Sequence, residues 1–270
     1  MELTNTHCHS CYTNHGFGAI EEYVVEAEKA GLTTLAFTEH FPLTPEFDPN
    51  DYLSMHWDQV DNYLADIKAA QERHPNITLM TGCELDYLGD AEDRTLTRAD
   101  FDRFQVVNLS LHFVDAWPFD DPALRGRWEE PGQPDHIWRR YFASWCEACM
   151  SDVRGDIMSH PDLAKKFAYY PTYDVLPLYK DAAEACAESG RMIELNTSGS
   201  YYACKEMFPA PALLREFCRA GVPATIGTDA HEPHLVARDL DKGYKALYEA
   251  GYRVITVPTP DGDRRTIPIQ

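Results

Sequence analysis

Seven short apolar runs recur along this chain, and each is followed by polar residues that can carry chemistry. The runs have the length and character of strands that are buried on both faces. They are Leu3–Thr6, Thr34–Thr38, Thr78–Cys83, Val106–Leu111, Asp156–Ser159, Met192–Leu195 and Ala224–Gly227. The polar residues at their carboxyl ends are His7, His9, Glu39, His40, Glu84, His112, His160, Asn196, Asp229 and His231. The fold must therefore accommodate reactive side chains at one end of its strands.

Segments with helical periodicity separate the apolar runs. In the first of them, apolar residues between Ile20 and Ala27 recur at the spacing of one helix face. Gly31, Gly190 and Gly221 each follow such a segment, where a helix C-cap is expected. Strands that alternate with helices predict a parallel sheet.

The breadth of the pattern distinguishes two kinds of parallel sheet. An open, doubly wound sheet gathers only the residues beside its switch point, whereas a closed barrel brings all strand ends to one mouth. Because all seven runs end in polar residues, we expect a closed α/β barrel. It should be a distorted (β/α)7 barrel, with its site at the C-terminal ends of the strands.

Length and charge narrow the possible functions. The 270 residues fit one domain, spanning 1–270. The chain has 44 acidic against 24 basic residues, and its formal charge of −20 opposes general binding to nucleic acids or anionic lipids. No apolar run approaches the roughly 20 residues of a membrane span. The amino terminus lacks a secretory signal, so we expect a cytoplasmic protein.

The eight cysteines suit reduced thiols in such a compartment. Two pairs, Cys8/Cys11 and Cys146/Cys149, have the two-residue gap of a zinc knuckle. Alternation along the first strand directs Cys8 away from its neighbouring histidines, and the second pair lies in a helical segment. Packed thiols are the simpler interpretation.

The spacing of histidines and carboxylates predicts a metal site. His7 and His9 fall on one face of a strand, about 6.6 Å apart by strand rise, and Asp229 and His231 repeat this arrangement. Glu84 follows an apolar strand, where an unpaired carboxylate is costly. The nine candidate ligands are His7, His9, His15, His40, Glu84, His112, His160, Asp229 and His231. Nine ligands exceed the capacity of one ion, which predicts a multinuclear site for Zn²⁺, Mn²⁺ or Fe²⁺.

Two stretches interrupt the strand and helix alternation. The segment 113–134 is rich in aromatic and proline residues, and it is either a lid over the mouth or a solvated insertion with incidental aromatics. The tail 252–269 is predicted to form a hairpin that seals the barrel bottom. The histidines at 56, 74 and 136 lie away from strand ends and are interpreted as surface or capping residues.

The ligand motifs together resemble the polymerase and histidinol phosphatase (PHP) superfamily. Its members carry a His-x-His, a Thr-Glu/Asp-His, a strand Glu and a terminal Asp-x-His. The matching segments are Thr6-His7-Cys8-His9-Ser10, Thr38-Glu39-His40, Gly82-Cys83-Glu84-Leu85-Asp86-Tyr87, Ser110-Leu111-His112-Phe113, Ser159-His160-Pro161-Asp162 and Gly227-Thr228-Asp229-Ala230-His231. The resemblance extends from about residue 3 to the C terminus and is closest to the histidinol phosphatase branch.

The resemblance implies a seven-stranded barrel that holds three divalent metal ions. The first would be bound by His7, His9, Glu84 and Asp229, the second by Glu84, His112 and His160, and the third by His15, His40 and His231. Glu84 would bridge two ions. Asp229 is the expected catalytic residue, which orients or deprotonates the attacking water, and His231 beside it is mainly a ligand.

The substrate contacts are less regular than the metal motifs. Relatives carry an arginine near the His-x-Asp motif and a basic residue after the Asn-Thr-x-Gly loop, whereas this chain has Lys166 and Lys205 in the equivalent regions. Lysine is a point charge without the guanidinium fork, so we expect phosphate recognition to be arranged differently here. Trp117 or Phe119 is a candidate for stacking on the imidazole ring of histidinol phosphate. His234 lies close to the mouth, where it either contacts substrate or only begins the final helix.

The leading functional hypothesis is hydrolysis of L-histidinol phosphate to L-histidinol and phosphate, in histidine biosynthesis, by a metal-activated hydroxide. Two alternatives remain: a phosphatase or phosphodiesterase for another small ester, such as a nucleotide phosphate, and a noncatalytic metal-stabilised module. The partner implied by the first two is a small phosphorylated substrate. The motifs do not indicate an oligomeric state.

Overall fold

The computed structural model describes residues 2–89 and 101–270 and contains an α/β barrel. Its strands are β1 (Leu3–Asn5), β2 (Leu32–His40), β3 (Thr78–Asp86), β4 (Val106–Ser110), β5 (Phe113–Val114), β6 (Trp117–Pro118), β7 (Ile157–Met158), β8 (Met192–Asn196), β9 (Ala224–Gly227), β10 (Val254–Pro258) and β11 (Arg264–Pro268). Its α-helices are α1 (Ile20–Ala30), α2 (Val60–Arg73), α3 (Gln133–Met150), α4 (Leu176–Ser189), α5 (Pro211–Ala220) and α6 (Leu240–Ala250).

Seven parallel strands form the barrel, in the order β1-β2-β3-β4-β7-β8-β9. Backbone hydrogen bonds between the residues that follow β1 and those of β9 close the ring. The amide of Thr6 donates to the Ile226 carbonyl at 3.0 Å, and the amide of Asp229 donates to the His7 carbonyl at 2.9 Å. The two-residue β7 pairs through only two residues on each side, which distorts the wall. The predicted seven-stranded distorted barrel is confirmed.

Side chains alternate in direction along each strand, so that one set faces the helices and the other set faces the barrel interior. Ala36, Met80, Val106, Ile157 and Met192 form a small apolar cluster of their own at the amino-terminal half of the barrel. Two or four residues further along, the same inward faces carry polar groups, because side chains alternate with a period of two. Those positions are Thr38, His40, Glu84, Asn108, Ser110, Glu194 and Asn196. The interior therefore changes from apolar at the bottom to polar at the mouth.

The helices cover the outside of the barrel with one apolar face each. In α1, Ile20, Tyr23, Val24 and Ala27 are buried, as their spacing predicted. Helices α1, α4 and α5 end at glycines in the left-handed conformation, which glycine adopts without steric cost. These glycines are the expected C-caps, and each reverses the chain toward the next strand.

The segment that follows β4 buries its aromatic side chains, although residues 122–127 within it are exposed. It contains the β5–β6 hairpin and a 3₁₀ helix, Pro122–Glu129. Trp117, Phe119 and Trp128 are all less than 5% exposed. The indole of Trp128 donates to the Phe119 carbonyl at 2.7 Å, so the loop has its own small core. The alternative of a solvated insertion with incidental aromatics is wrong, because burial of these rings is what orders the loop.

The C-terminal tail forms the predicted antiparallel hairpin, β10–β11. It contacts residues at the amino ends of the strands: Arg265 pairs with Glu2, Arg264 donates to the Gly190 carbonyl, and Gln105 donates to the Pro260 carbonyl. The hairpin therefore covers the barrel bottom, opposite the mouth.

The thiols and the helix lengths are two further features of the fold. All eight cysteines are free thiols. Cys8 is buried and its thiol donates to the Ala36 carbonyl, away from the flanking histidines. Within residues 2–89 and 101–270, the helices are too short or too polar to cross a membrane.

Candidate metal centre

The nine predicted ligands meet at the barrel mouth. The strands and the turns that follow them deliver these side chains, which is why ligands scattered over more than 220 residues of sequence become neighbours. His7, His9, Glu84 and His160 are at most 1% exposed, whereas His15 and His231 lie nearer to solvent. The arrangement is a pocket that is closed below and open above.

Glu84 lies deep in this pocket, and Asp229 lies nearer to its opening. One Glu84 oxygen, Oε2, lies 3.2 Å from His7 Nε2 and 3.2 Å from His40 Nδ1, and the other, Oε1, lies 2.7 Å from His160 Nε2. Asp229 Oδ1 lies 3.2 Å from His9 Nε2. Both carboxylates therefore contact several imidazole rings at once.

A second set of imidazoles lies toward solvent. The Nε2 atoms of His15 and His231 are 3.1 Å apart. The His9 ring stacks on both the His40 and the His231 rings, with centroids 4.4 Å and 4.3 Å apart. The imidazoles therefore form one continuous cluster from the base of the pocket to its rim.

The electrostatics of the cluster favour ionised carboxylates. Burial raises the pKa of Glu84, but the neighbouring His7, His40 and His112 outweigh it and hold that pKa well below its usual range. The pKa of Asp229 is likewise well below its usual range, because His7 and His9 outweigh burial. Two negative charges thus persist in a buried site.

The imidazoles divide into two classes. Burial, with a smaller contribution from His9, lowers the pKa of His231 to about 3, and burial also lowers the pKa of His40 well below its usual value. Burial lowers the pKa of His9 too, but hydrogen bonds to Asp229 and Glu84 outweigh it and raise that pKa to about 9. The rings with a lowered pKa stay neutral and offer a nitrogen lone pair, whereas the two carboxylates beside His9 favour its protonated form.

This donor set fits divalent metal ions. Three overlapping groups have ligand atoms within 4.8 Å of one another: His7, His9 and Asp229; His9, His40 and His231; and His40, Glu84 and His112. The His7 and His9 Nε2 atoms approach to 3.1 Å, and the Nδ1 atoms of His9 and His160 are buried without a hydrogen-bond partner in the described residues. Imidazole with carboxylate suits Zn²⁺, Mn²⁺ or Fe²⁺.

Two further carboxylates orient the imidazole rings of two candidate ligands. The sequence motifs did not identify these carboxylates as orienting groups. Glu194 Oε1 is 2.9 Å from His7 Nδ1, and Asp86 Oδ1 is 2.8 Å from His112 Nδ1. Such contacts set the tautomer and direct Nε2 toward a metal. A Cβ on Gly227 would lie 1.9 Å from Glu194 Oε1, so this glycine leaves room for the carboxylate. The signal in the sequence was the inward register of Glu194 in β8.

Glu39 has a third supporting role. It is fully buried and accepts hydrogen bonds from the Ser10 amide, the Ser10 hydroxyl and the Thr13 amide, at 2.7, 2.6 and 2.9 Å. The turn that carries His9 toward His15 is thereby tied to the end of β2. This contact explains why an acidic residue precedes His40.

The predicted catalytic pair lies in this cluster. Asp229 has a positive φ of 51°, and its Oδ2 accepts a hydrogen bond from the Asn196 amide at 3.4 Å. His231 Nδ1 contacts the Asp229 carbonyl at 3.1 Å, which directs Nε2 toward His15. The side chain of Asp229 is 16% exposed, so it borders the open part of the pocket.

The four residues predicted to bind substrate differ in their exposure and in their contacts. The ammonium of Lys166 is 2.9 Å from Asp120 Oδ2 and lies over the Tyr202 ring. Lys205 and His234 are exposed, and Trp117 is buried beneath the guanidinium of Arg127. Their contacts with substrate remain predictions.

The remaining histidines lie outside the cluster. His74 contacts Glu21 and Glu28, and His136 contacts Asp115. His56 is the N-cap residue of a short 3₁₀ helix.

Comparisons with known proteins agree with this geometry. The PHP domain family model matches residues 5–198. A probable histidinol-phosphatase from Deinococcus radiodurans is 31% identical, covering 94% of this chain and 96% of the relative. Histidinol-phosphatase from Bacillus subtilis is 25% identical, covering 92% of this chain and 99% of the relative.

A solved structure has the same fold. Histidinol phosphate phosphatase from Lactococcus lactis, in complex with zinc, L-histidinol and phosphate, superimposes with a TM-score of 0.76 at 19% identity. The match covers 96% of this chain and 97% of that one. The chain therefore belongs to the PHP domain family, as its ligand motifs predicted, and is an enzyme of the phosphatase group in that family.

Proposed function

We propose that this protein hydrolyses L-histidinol phosphate to L-histidinol and phosphate, as a step of histidine biosynthesis. The observation that supports the proposal is the cluster of all nine candidate ligand side chains at the mouth of one barrel. Relatives described as histidinol phosphatases match almost the full length of the chain, which supports this substrate over other small esters.

We further propose a trinuclear centre. His7, His9, Glu84 and Asp229 would hold one ion, Glu84, His112 and His160 a second, and His15, His40 and His231 a third. When bound, divalent ions would neutralise the phosphoryl oxygens and make water more acidic. The contacts of Glu84 with His7 on one oxygen and His160 on the other support its sharing between two ions.

Asp229 is proposed to accept the proton of the attacking water at Oδ2. Its other oxygen, Oδ1, is engaged by His9, while Oδ2 has only the long contact to Asn196 among the described residues. The low pKa of Asp229 keeps this acceptor ionised at neutral pH. Asn196 also donates to Glu194 at 3.1 Å, and this second bond fixes its amide.

Recognition of the phosphate dianion requires positive charge in a chain of net charge −20. Divalent ions at the centre would supply most of it, because local charge outweighs a distant field. Lys166 adds a cation at the rim, and its pKa is raised because Asp120 and Asp229 outweigh the opposing effect of burial. The amine therefore stays charged across the physiological range.

Two broader assignments accompany this proposal. We propose that residues 1–270 act as one catalytic domain, because the C-terminal hairpin, although a separate sheet, contacts the bottom of the barrel that carries the mouth. We also propose that the reaction takes place in the cytoplasm, which suits eight cysteines that are all free thiols.

Steady-state kinetics on a panel of esters tests the substrate. L-Histidinol phosphate should be turned over with a kcat/KM at least ~100-fold above nucleotide monophosphates and diesters. Rapid turnover of a nucleotide beside negligible turnover of histidinol phosphate would refute the assignment. No turnover of any ester by protein with its full metal complement would also refute the proposed function.

Metal analysis and one variant test the centre. The purified protein should contain about three equivalents of divalent metal. Asp229→Asn should lower kcat by ~100-fold or more, because the amide does not accept a proton. Wild-type rates in that variant would remove Asp229 from its proposed role.

A further inference from the structure

One cation at the mouth belongs to none of the predicted ligand or substrate sets. Arg238 lies in the turn between β9 and α6, seven residues after His231. Its guanidinium carbon lies 3.9 Å from the centroid of the Tyr201 ring. The Tyr201 hydroxyl donates to Asp239 Oδ2 at 2.8 Å, so the ring beneath the guanidinium is held in place. Arg238 is therefore a cation with a fixed orientation.

The guanidinium has unused hydrogen-bond donors. Its Nε is buried and has no hydrogen-bond partner, and in residues 2–89 and 101–270 no carboxylate forms an ion pair with it. A buried donor without an acceptor is costly, and proteins usually satisfy it. By contrast, the half-buried Arg154 donates to the carbonyls of Phe101 and Phe104. The donors of Arg238 are available to a ligand.

The turn that carries Arg238 is attached to the catalytic residues. The Arg238 carbonyl accepts a hydrogen bond from the Thr197 hydroxyl at 2.8 Å. Thr197 directly follows Asn196, whose amide contacts Asp229 Oδ2. This short connection holds the Arg238 backbone beside the loop that supports Asp229.

Tyr202 links Arg238 with the rest of the mouth. Burial raises the pKa of Tyr202, and Lys166 and Arg238 both oppose that shift, whereas Asp229 adds to it. The charges of Lys166, Arg238 and Asp229 therefore all affect the pKa of the Tyr202 phenol. The ammonium of Lys166 lies 4.8 Å from the Tyr202 ring centroid. Lys166 lies in the segment after β7, and Arg238 lies in the turn after β9.

We infer that Arg238 is an anion-binding residue of this site, which donates to the phosphoryl oxygens of a phosphate monoester. A guanidinium binds two oxygens of a phosphate with paired donors, and stacking on Tyr201 reduces the freedom lost on binding. The residue supplies the fork that Lys166 and Lys205 lack. The inference rests on the proposed phosphatase function, and it adds a recognition residue from the β9–α6 turn.

Product inhibition of histidinol phosphate hydrolysis tests the inference. Arg238→Gln should raise the inhibition constant of inorganic phosphate ~10- to 100-fold, as expected for loss of a charge-assisted contact, with KM rising in parallel. The inhibition constant of L-histidinol, which has no phosphoryl group, should change less than twofold. The inhibition constant of phosphate for Arg238→Lys should lie between those of the wild type and Arg238→Gln, because lysine retains the charge but lacks the paired donors. Metal content should stay at the wild-type value.

Arg139→Gln provides a matched control. Arg139 also stacks on a tyrosine, with its guanidinium carbon 3.8 Å from the Tyr173 ring centroid, but it lies on α3 beside Asp135 and outside the mouth. Its kinetics should equal those of the wild type. The inference is overturned if Arg238→Gln has the phosphate inhibition constant of this control, or weakens phosphate and L-histidinol equally. Absence of turnover in the wild type would instead overturn the proposed function.

Discussion

Oε1 of Glu84 lies 2.7 Å from Nε2 of His160, although 75 residues separate them in the sequence. The other oxygen of the same carboxylate contacts His7 and His40. One side chain at the end of β3 therefore connects candidate ligands that follow β1, end β2 and follow β7. This relationship makes Glu84 the residue on which the integrity of the centre depends most.

Glu84→Gln should reduce both metal content and activity. The amide has the size of the carboxylate but lacks its charge, and its NH₂ group cannot accept from an imidazole N–H. We expect loss of at least one metal equivalent and a fall in kcat/KM of ~100-fold or more. Metal analysis and steady-state kinetics on the same preparation would measure both.

Glu188→Gln is the control for this change, because Glu188 is an exposed residue of α4. It should match the wild type in both measurements. Full metal content in Glu84→Gln would contradict the proposed sharing of this carboxylate between ions.

Glu194→Gln tests the support behind the ligands. Glu194 contacts His7 Nδ1 through one oxygen and accepts from the His160 amide at 2.8 Å through the other. The glutamine retains a hydrogen-bonding group but weakens the orientation and basicity of His7. Metal affinity should fall ~10- to 100-fold, the usual cost of losing an outer partner of a ligand.

A competition titration with a chelator would measure that loss. Circular dichroism should show that the fold is retained, since Gln fits the space that Gly227 leaves. Unchanged affinity would mean that His7 is oriented by the backbone alone.

The barrel and its candidate ligands were predictable because each is indicated by a short stretch of adjacent residues. Strand runs, helix faces and glycine C-caps each occupy a few adjacent residues, and the closed topology follows from polar residues at every strand end. The nine ligands are recognisable for the same reason, since short motifs fix their chemistry and their place at the mouth.

The contacts around the centre depend on long-range packing and were not predictable. The sequence indicated neither that Glu194 approaches His7 across 187 residues nor that Asp120 pairs with Lys166. The same holds for Arg238, whose position depends on Tyr201 in another loop. Aromatic composition alone did not distinguish a packed loop from a solvated one, and the burial of Trp117 and Trp128 decided it.

His74 should make stability depend on pH. Hydrogen bonds to Glu21 and Glu28, in that order, raise its pKa above the usual value. Its stabilising contribution is fully present below about pH 6.5 and is lost as pH rises through the raised pKa of the folded state. Because both carboxylates are partly exposed, the contribution should be at most about 1 kcal/mol.

The measurement is the difference in unfolding free energy between the wild type and His74→Gln, from denaturant titrations at several pH values. The difference should be largest near pH 6 and should shrink toward pH 9. The same titrations on a Glu21→Gln/Glu28→Gln background should show little dependence on pH. A difference that grows with pH would reverse the assigned sign.

The two predicted substrate lysines should differ in their effect on substrate binding. Lys166 is half-buried, paired with Asp120 and close to the charge of Asp229, whereas Lys205 is exposed. Lys166→Gln should raise KM for the phosphate monoester by ~10-fold or more, because charge-assisted contacts are stronger where water is excluded.

Lys205→Gln should have a smaller effect, and Lys180→Gln on the exposed face of α4 should have none. Steady-state kinetics of the three variants at two ionic strengths would distinguish their effects on KM, since salt screens an exposed charge more than a half-buried one. Equal KM values for Lys166→Gln and Lys180→Gln would exclude Lys166 from substrate binding.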